Sequence, residues 1–357
     1  MNILANPKPV TAPFTPPPQA RLRLDGQALV ANWQDFARAV GAAACGAAIK
    51  ADGYGLGARA VMLRLAAAGC RQFFVAHWGE VPPLLPLPDG VTLSVLHGVT
   101  PEEMPAALAL PATPVLVTAA QVALWRQTGR RAEVMIDTGM NRLGLSPAEA
   151  PAVLDGLTVA VLHSHLACAD TPAHPLNAAQ RACFADVAAR VPAGARALAN
   201  APGTCLGPAF HFDMVRPGIG LFGGMWLPDG RPSRQVARLS ARIIQLRDVA
   251  PGQSVGYAAT FTAARPTRIA TVALGYADGY ARGLSGQGWA EIGGVRCPAA
   301  GRISMDMAAF DVTDAGPLAD GDWIDIAFDV NAMAALSGRS AYELLVALGQ
   351  RFERVWA

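Results

Sequence analysis

The sequence predicts an α/β protein in which an N-terminal (β/α)8 barrel, the TIM-barrel architecture, is followed by a mostly β C-terminal domain. After residue 20, short runs of β-branched residues alternate with alanine- and leucine-rich helical patterns, which is typical of parallel α/β folds. Eight candidate strands begin at intervals of roughly 24 residues, about the length of one βα unit. From Ala237 onward, alternating segments separated by glycine and proline turns replace this pattern.

The predicted barrel strands are short segments rich in apolar and β-branched residues. They cover residues 44–50, 71–78, 91–98, 113–118, 131–138, 158–167, 195–201 and 212–223. The helical patterns between them include residues 57–69, 119–129, 147–156 and 177–191. Eight βα units are the number that closes a barrel of this type.

The second domain is predicted from four alternating segments and one helical pattern. The alternating segments are residues 237–249, 267–276, 290–300 and 322–329, and the helical pattern covers residues 340–352. Six prolines in the first 20 residues indicate an extended leader. We therefore expect three parts, which are a leader over residues 1–20, a barrel over residues 21–236 and a β domain over residues 237–357.

Composition narrows the classes of function. The chain of 357 residues is 52% apolar and 16% charged, against roughly 25% charged residues in an average globular domain, which excludes a disordered protein. A net charge of +2 gives no sign of binding to nucleic acid or to an anionic membrane. The uncharged run over residues 105–125 is interrupted by Pro105, Pro111 and Pro114, so we expect no transmembrane helix.

Cysteine spacing and the first residues bear on the compartment. The six cysteines are scattered without CxxC pairs or a metal-finger spacing, so we expect reduced thiols. The first residues lack the basic stretch and apolar run of a secretory signal. Both observations favour a cytoplasmic protein.

Lysine is nearly absent from the chain, which contains only Lys8 and Lys50; every other basic residue is arginine. An arginine cannot be deprotonated in a protein, whereas a lysine amine can lose its proton and attack a carbonyl. Lys50 ends the first predicted barrel strand and is therefore a candidate for covalent chemistry. The alternative is a lysine beside an ordinary βα loop.

Other unusual polar residues also fall at the ends of predicted strands, where barrel enzymes gather their chemistry. Arg142 follows the fifth strand, His165 ends the sixth, Asn200 ends the seventh and Arg216 lies in the eighth. His163 and His165 project from the same side of their strand, which is compatible with a metal site, with packing against a planar cofactor, or with a satisfied core histidine. No further set of His, Asp and Glu stands at matching strand ends, so we predict no metal site.

Glycine-rich segments provide candidate anion sites. In IKADGYGLGA (49–58) a lysine precedes three glycines, and in RPGIGLFGG (216–224) an arginine precedes glycines whose amide groups can cradle an anion. Taken alone, each segment is a weak signal because glycine-rich turns are common. Likewise, GYADGY (275–280) is compatible with a hairpin turn and GRISMDM (301–307) with a strand.

Seven motifs, in this order and at these spacings, resemble the alanine racemase family of pyridoxal 5′-phosphate (PLP) enzymes, which combine a barrel with a β domain. The motifs are IKADGYGLG, IDTGMNRLG, HSHLACAD, FDMVRPGIGLFGG, VGYAATF, GYADGY and GRISMDM. The resemblance extends from about residue 21 to the C-terminus. It implies a PLP-binding barrel and a homodimer with shared active sites.

The resemblance also implies roles for individual residues. Two catalytic bases would lie on opposite faces of the cofactor, namely Lys50, which also binds PLP covalently, and Tyr257, which comes from the partner subunit. The implied cofactor-binding residues are Lys50, Tyr54, His165, Asn200, Arg216, Gly218, Ile219 and Tyr342. The implied substrate-binding residues are Arg142, Tyr276, Met305 and Asp306.

Two bases suit the chemistry of racemisation. Inversion of an amino acid requires removal of the Cα proton from one face and delivery of a proton to the other, while PLP withdraws electrons from Cα. Free lysine and tyrosine have pKa values of about 10, so each must be lowered toward the working pH. A cationic site containing Arg142 and Arg216 favours that change in both groups.

This chain departs from the family pattern at four positions. Met135 stands where many members have a carboxylated lysine that holds the arginine corresponding to Arg142. Ala201 replaces a serine that often binds the phosphate, and Gly53 and Leu56 replace common alanine and histidine residues. None of these changes removes a predicted base.

The sequence thus predicts an alanine racemase activity that interconverts L- and D-alanine and supplies D-alanine for peptidoglycan. The nearest alternative is a broad-specificity amino-acid racemase on the same scaffold. A decarboxylase sharing the barrel would not explain Tyr257. A metal-dependent barrel hydrolase would belong to a different reaction class. A non-catalytic cofactor-binding barrel would lack the residues beyond about 235.

Overall fold

The computed structural model describes residues 16–227 and 229–357. In this part of the chain, one large sheet consists of parallel strands and another is mostly antiparallel. Residues 1–15 of the predicted leader lie outside the described residues.

The described chain begins in the antiparallel sheet rather than in the barrel. Strand β1 (Ala20–Leu24) has Ala20, Leu22 and Leu24 buried, with arginines between them. Such alternation suits a sheet with one solvated face, because strands of a parallel barrel are covered on both faces. Helix α1 (Gly26–Val40) follows β1 and leads into the barrel.

The parallel sheet forms the barrel. Its strands are β2 (Ala44–Cys45), β3 (Ala47–Ala48), β4 (Gln72–Val75), β5 (Thr92–Val95), β6 (Thr113–Leu116), β7 (Ala132–Met135), β8 (Val159–His163), β9 (Ala195–Asn200) and β10 (Met214–Arg216). Each of the eight segments predicted as a barrel strand contains at least one of them.

Closure of the barrel depends on a single glycine. Strands β2 and β3 are two halves of one segment separated by Gly46; β2 pairs with β10, and β3 pairs with β4. A Cβ atom on Gly46 would lie 2.8 Å from the Phe74 ring and 3.0 Å from the Gln72 carbonyl, so a larger residue does not fit. The two ends of the sheet therefore meet in one segment, and the predicted fold class is confirmed.

The helices lie between the strands and near the C-terminus. They are α2 (Lys50–Tyr54), α3 (Ala58–Ala67), α4 (Met104–Ala109), α5 (Ala119–Arg126), α6 (Ala150–Leu154), α7 (Pro175–Arg190), α8 (Ala201–Thr204), α9 (Val330–Ser337) and α10 (Ala341–Val346). Side-chain caps fix several starts, since Asp25 accepts the Ala28 amide of α1 and Thr118 accepts the Gln121 amide of α5.

The second sheet contains β1 and most of the C-terminal strands. The C-terminal strands are β11 (Ala237–Val249), β12 (Ser254–Val255), β13 (Phe261–Thr262), β14 (Thr267–Val272), β15 (Trp289–Ile292), β16 (Val295–Pro298), β17 (Ala308–Asp311), β18 (Trp323–Ile326) and β19 (Glu353–Trp356). Strand β1 lies between β11 and β19, while β12 and β13 form a separate hairpin. The mostly β C-terminal architecture predicted from alternating segments is thus present.

A buried carboxylate ties α1 to the segment that connects the barrel with β11. The Asp35 side chain is 5% exposed and forms ion pairs with Arg38 (2.5 Å), Arg234 (2.6 Å) and Arg231 (3.3 Å). Burial alone raises the pKa of Asp35, but hydrogen bonds from Arg234 and Arg38 outweigh it and hold the pKa below its usual value. The ionised carboxylate therefore stabilises the folded state.

We expect Asp35→Asn to lower the free energy of unfolding by about 2 kcal/mol, because it removes the charge that the arginines share. Since folding lowers the pKa of Asp35, the difference between parent and variant should shrink as the pH falls below about 3.9. Denaturant unfolding measures both effects. Asp186→Asn is the matched control, because it removes a solvent-exposed pair with Arg190 and should cost less than about 0.5 kcal/mol. Equal losses in the two variants would contradict this account of Asp35.

Candidate active site

A cavity of about 330 Å³ opens at the carboxyl ends of the barrel strands. The predicted site residues that line it come from several strand ends and from α10. They are Lys50, Tyr54, Arg142, His165, Asn200, Arg216, Gly218, Ile219 and Tyr342. Convergence of these residues is what a barrel enzyme requires.

Lys50 is followed by one turn of left-handed backbone. Ala51, Asp52, Gly53 and Tyr54 have φ angles of 53°, 52°, 63° and 57°. This conformation costs roughly 1–2 kcal/mol for each residue other than glycine. Such strain persists only where surrounding contacts hold the backbone in place, and it is concentrated at functional sites.

Two carboxylates hold this turn. Glu80 accepts the Ala51 amide (2.7 Å) with Oε1 and the Ala76 amide (2.6 Å) with Oε2, which joins the turn to the end of β4. Asp52 accepts the Ala58 amide (2.8 Å) at the start of α3. The turn is therefore anchored on both sides, and Lys50 is fixed at the end of its strand.

The environment of Lys50 favours a neutral amine. Desolvation in the cavity lowers the pKa of Lys50, and the positive charge of Arg142 lowers it further; the negative charge of Glu80 acts in the opposite direction. A neutral lysine amine is the form that attacks a carbonyl. The geometry therefore suits covalent attachment of an aldehyde.

One end of the cavity is suited to a phosphate group. The buried Tyr54 ring stacks on Phe222 with centroids 4.7 Å apart and lies 6.1 Å from the Tyr342 ring. A Cβ atom on Gly218 would approach the Tyr54 hydroxyl to 2.1 Å, so only glycine fits beside it. Ile219 begins a short 3₁₀ turn, whose first amides have no partner within the turn. Tyrosine hydroxyls and backbone amides thus provide hydrogen-bond donors around this space, and Gly218 lies beside the Tyr54 hydroxyl where a larger residue would not fit.

Arg216 is buried and also lines the cavity. Its Nη2 donates to the carbonyls of Ser164 (2.6 Å) and Leu198 (3.4 Å), and its Nη1 donates to His163 Nδ1 (3.3 Å). Burial lowers the pKa of Arg216 to about 10, partly opposed by Glu133, so the guanidinium stays charged near neutral pH. Arg216 can therefore act only as a hydrogen-bond donor.

His165 lines the cavity together with three basic residues and is uncharged near neutral pH. Burial lowers its pKa to about 3, and the charges of Arg216, Arg142 and Lys50 act in the same direction. A neutral imidazole beside three basic groups leaves a site that attracts anions and can pack against a planar ring.

Four predicted site residues lie elsewhere, on the C-terminal domain. Tyr257, Tyr276 and Met305 are 70%, 40% and 54% exposed, and Asp306 is exposed as well. The Tyr276 amide donates to the Ser304 carbonyl (3.0 Å), which places Tyr276 beside the segment containing Met305 and Asp306. These residues do not line the cavity of their own chain.

Within residues 16–227 and 229–357, the structure supports neither a metal site nor a membrane-spanning helix. No group of three or more His, Cys, Asp or Glu residues there is arranged to hold a metal ion. Both ring nitrogens of His163 are engaged, by Arg216 and by Glu133, so His163 does not act as a metal ligand in this geometry. None of the helices found there is long and apolar enough to cross a membrane.

Comparison with known proteins identifies the family. The family model described as "Alanine racemase, N-terminal domain" matches residues 24–225, and the model described as "Alanine racemase, C-terminal domain" matches residues 236–356. The chain belongs to the alanine racemase family. The family predicted from the seven motifs is thus confirmed.

Individual alanine racemases are similar over almost their whole length. The protein from Methylobacterium sp. (strain 4-46) is 43% identical, with 96% of this chain and 99% of that protein covered. The catabolic alanine racemase of Agrobacterium fabrum is 42% identical, with 93% and 91% covered. The crystal structure of alanine racemase from Bartonella henselae, which has covalently bound pyridoxal phosphate, matches with a TM-score of 0.86 at 33% identity and covers 96% of this chain and 100% of that one.

At Met135 this member of the alanine racemase family has an apolar wall. Met135 is buried against Val115, Val117 and Leu96. In the described chain no side chain forms an ion pair with the guanidinium of Arg142. The Asp137 carboxylate instead accepts four backbone amides, those of residues 139–142, at 2.9–3.0 Å. The backbone of the loop is held, and the Arg142 side chain remains available for an anion.

Sequence reasoning missed three carboxylates that organise the cavity, namely Glu80, Glu133 and Asp137. Glu80 acts on the backbone of a residue 29 positions earlier, and Glu133 acts on His163, 30 positions later. The spacing of residues within a short segment of sequence gives no indication of such contacts. Asp137 stands inside the IDTGMNRLG motif, where its position before a glycine-containing turn could have indicated a capping role.

Glu80→Gln tests the electrostatic control of Lys50. We expect the variant to lower the pKa of Lys50 further, because the negative charge that raises this pKa is removed. With two lysines in the chain, reductive ¹³C-methylation gives few signals, and their chemical shifts titrate with pH in the cofactor-free protein. Glu353→Gln, which breaks a surface ion pair with Arg21, is the control and should leave the titration unchanged. An unchanged or raised pKa in Glu80→Gln would refute the assignment.

Proposed function

We propose that this chain is a PLP-dependent amino-acid racemase that interconverts L- and D-alanine as a cytoplasmic homodimer and supplies D-alanine for peptidoglycan. Membership of the alanine racemase family supports the enzyme class, the cofactor and the substrate. The observation that carries the proposal is a lysine with a lowered pKa in a cavity that also presents two arginines.

The residues of the cavity fit PLP. Lys50 would hold its aldehyde carbon, the Tyr54 and Tyr342 hydroxyls with the Gly218 and Ile219 amides would hold its phosphate, and Arg216 would face its ring nitrogen. His165 and Asn200 complete the cofactor-binding set. The fit rests on the position of Gly218 against the Tyr54 hydroxyl and on the buried donor group of Arg216 at the cavity. When bound, PLP supplies the electron sink for charge that develops at the substrate Cα.

The chain itself supplies proton transfer and binding. The Lys50 amine takes a proton from, or returns one to, one face of the substrate Cα, and its lowered pKa brings it nearer to the working pH. The Tyr257 hydroxyl of the partner subunit would do the same on the other face. Arg142 binds the substrate carboxylate, because its guanidinium has no ion-pair partner in the described chain.

The division of the predicted site between two surfaces supports the proposed dimer. Tyr257, Tyr276, Met305 and Asp306 are exposed on the C-terminal domain and are absent from the cavity of their own chain. A symmetric dimer would bring this face over the cavity of the other subunit. Met305, Tyr276 and Asp306 would then border the substrate.

Lys50→Arg should abolish both PLP attachment and racemisation, because a guanidinium neither loses its proton nor bonds to an aldehyde. Visible absorption of the purified protein and polarimetry with L- and D-alanine measure the two properties. Lys8→Arg, which changes the other lysine, is the matched control and should behave like the parent. Racemisation at the parental rate by Lys50→Arg would refute the proposal. A panel of other amino acids distinguishes an alanine racemase from a broad-specificity enzyme.

Tyr257→Phe should lower racemisation by roughly 10²–10⁴-fold, the usual contribution of a general acid–base group. Exchange of the Cα hydrogen with heavy water should persist for one enantiomer only, because Lys50 still serves its face. Tyr280→Phe is the control, since the buried Tyr280 hydroxyl has no hydrogen-bond partner in the described residues. Parental exchange of both enantiomers in Tyr257→Phe would remove Tyr257 as a base.

Mixing the two inactive variants tests the shared site. In a mixed dimer, one site combines both substitutions and the other keeps Lys50 and Tyr257 intact. If subunits exchange freely, mixing should therefore recover about one quarter of the parental activity. Absence of recovery, with subunit exchange demonstrated by mass spectrometry, would place both bases in one chain.

A further inference from the structure

A chain of four polar side chains crosses the interior of the barrel behind the cavity. Ser94 Oγ donates to Glu133 Oε1 (2.8 Å), Glu133 Oε2 lies 2.7 Å from His163 Nε2, and His163 Nδ1 lies 3.3 Å from Arg216 Nη1. The four residues come from β5, β7, β8 and β10 and are all buried. Arg216 lines the cavity, whereas the other three residues do not.

The direction of each hydrogen bond is determined by chemistry. A guanidinium has only donors, so His163 Nδ1 must accept from Arg216. A neutral imidazole then carries its hydrogen on Nε2 and donates it to Glu133. Burial and the charge of Arg216 lower the pKa of His163, which agrees with this neutral form.

The arrangement also balances charge. Removing a guanidinium from water is costly unless an opposite charge and hydrogen bonds compensate. Arg216 is 6% exposed, and Glu133 is the carboxylate linked to it, through the His163 ring. Together with the Ser164 and Leu198 carbonyls on Nη2, the His163 contact on Nη1 restrains rotation of the guanidinium.

We propose that His163 and Glu133 are positioning residues that hold the Arg216 guanidinium in the orientation in which its remaining N–H groups face the cofactor ring nitrogen. This inference rests on the proposed function. Arg216 only donates, so a ring nitrogen held by it stays unprotonated. Displacement of the guanidinium should weaken PLP binding and favour transamination, in which a proton is delivered to the cofactor carbon instead of the substrate Cα.

His163→Leu and His163→Gln test the inference as a pair. Leucine removes both hydrogen bonds, whereas glutamine can accept from Arg216 and donate to Glu133. We expect His163→Leu to raise the PLP dissociation constant of the cofactor-free protein, and the number of transaminations per racemisation, by roughly tenfold each. His163→Gln should recover most of both changes, and the visible band of bound PLP should shift in the leucine variant.

His211→Leu is the matched control. His211 is another buried histidine of the barrel, and its Nε2 donates to the Thr204 carbonyl (3.0 Å), but neither residue lines the cavity. Its loss should reduce stability and leave PLP affinity, the visible band and the reaction ratio unchanged. A role of His163 in stability alone would make His163→Leu behave like this control.

Glu133→Gln keeps the size of the side chain, removes its charge and replaces one of its two acceptor oxygens with an amide donor. It therefore carries the test if His163→Leu does not fold. We expect changes in the same direction as in His163→Leu. The inference would be overturned if a folded His163→Leu variant kept the parental PLP affinity, visible spectrum and reaction ratio. The same result in Glu133→Gln would overturn it where that variant carries the test. A parent that neither binds PLP nor racemises alanine would instead refute the proposed function.

Discussion

The cavity depends on the left-handed turn at residues 51–54, which fixes the position of Lys50. Three residues other than glycine hold positive φ angles there, and hydrogen bonds from distant parts of the chain stabilise them. Glu80 binds the turn from a 3₁₀ segment that follows β4. Arg354 donates to the Gly55 carbonyl (3.0 Å) from the C-terminal strand. The position of one amine is thus determined by contacts with both sheets of the protein.

The charge of the cavity depends on which groups the nearby carboxylates contact. Glu80 and Asp137 accept backbone amides, and Glu133 accepts from His163 and Ser94. In the described chain, therefore, no carboxylate forms an ion pair with Arg142 or Arg216 at the cavity. A ligand that carries both a phosphate and a carboxylate completes this distribution of charge. The apolar wall at Met135 is consistent with the same division, since Met135 places no anion beside Arg142.

The local sequence pattern was sufficient to predict the barrel, because each strand is a short apolar run bounded by turn residues. The scarcity of lysine and the position of Lys50 at a strand end singled out a residue that lines the cavity, without any resemblance. Strand β1 was not predicted, since its five residues alternate too briefly and its partner β11 begins more than two hundred residues later. Glu80 and Glu133 act through long-range contacts that no local spacing encodes. Tyr257 and the other residues of the exposed face were identified through the family resemblance alone.

The backbone connects the two halves of the protein, the barrel and the second sheet, at two places. The backbone passes from β1 through Asp25 into the barrel and returns from β10 to β11, and the Asp25 amide donates to the Val236 carbonyl (2.9 Å) where the two passages run side by side. The last residue, Ala357, donates its amide to the Leu24 carbonyl (2.9 Å). A single peptide-bond cleavage in either passage would leave the halves covalently joined through the other. Opening and closing about a single flexible linker is therefore not available to this molecule.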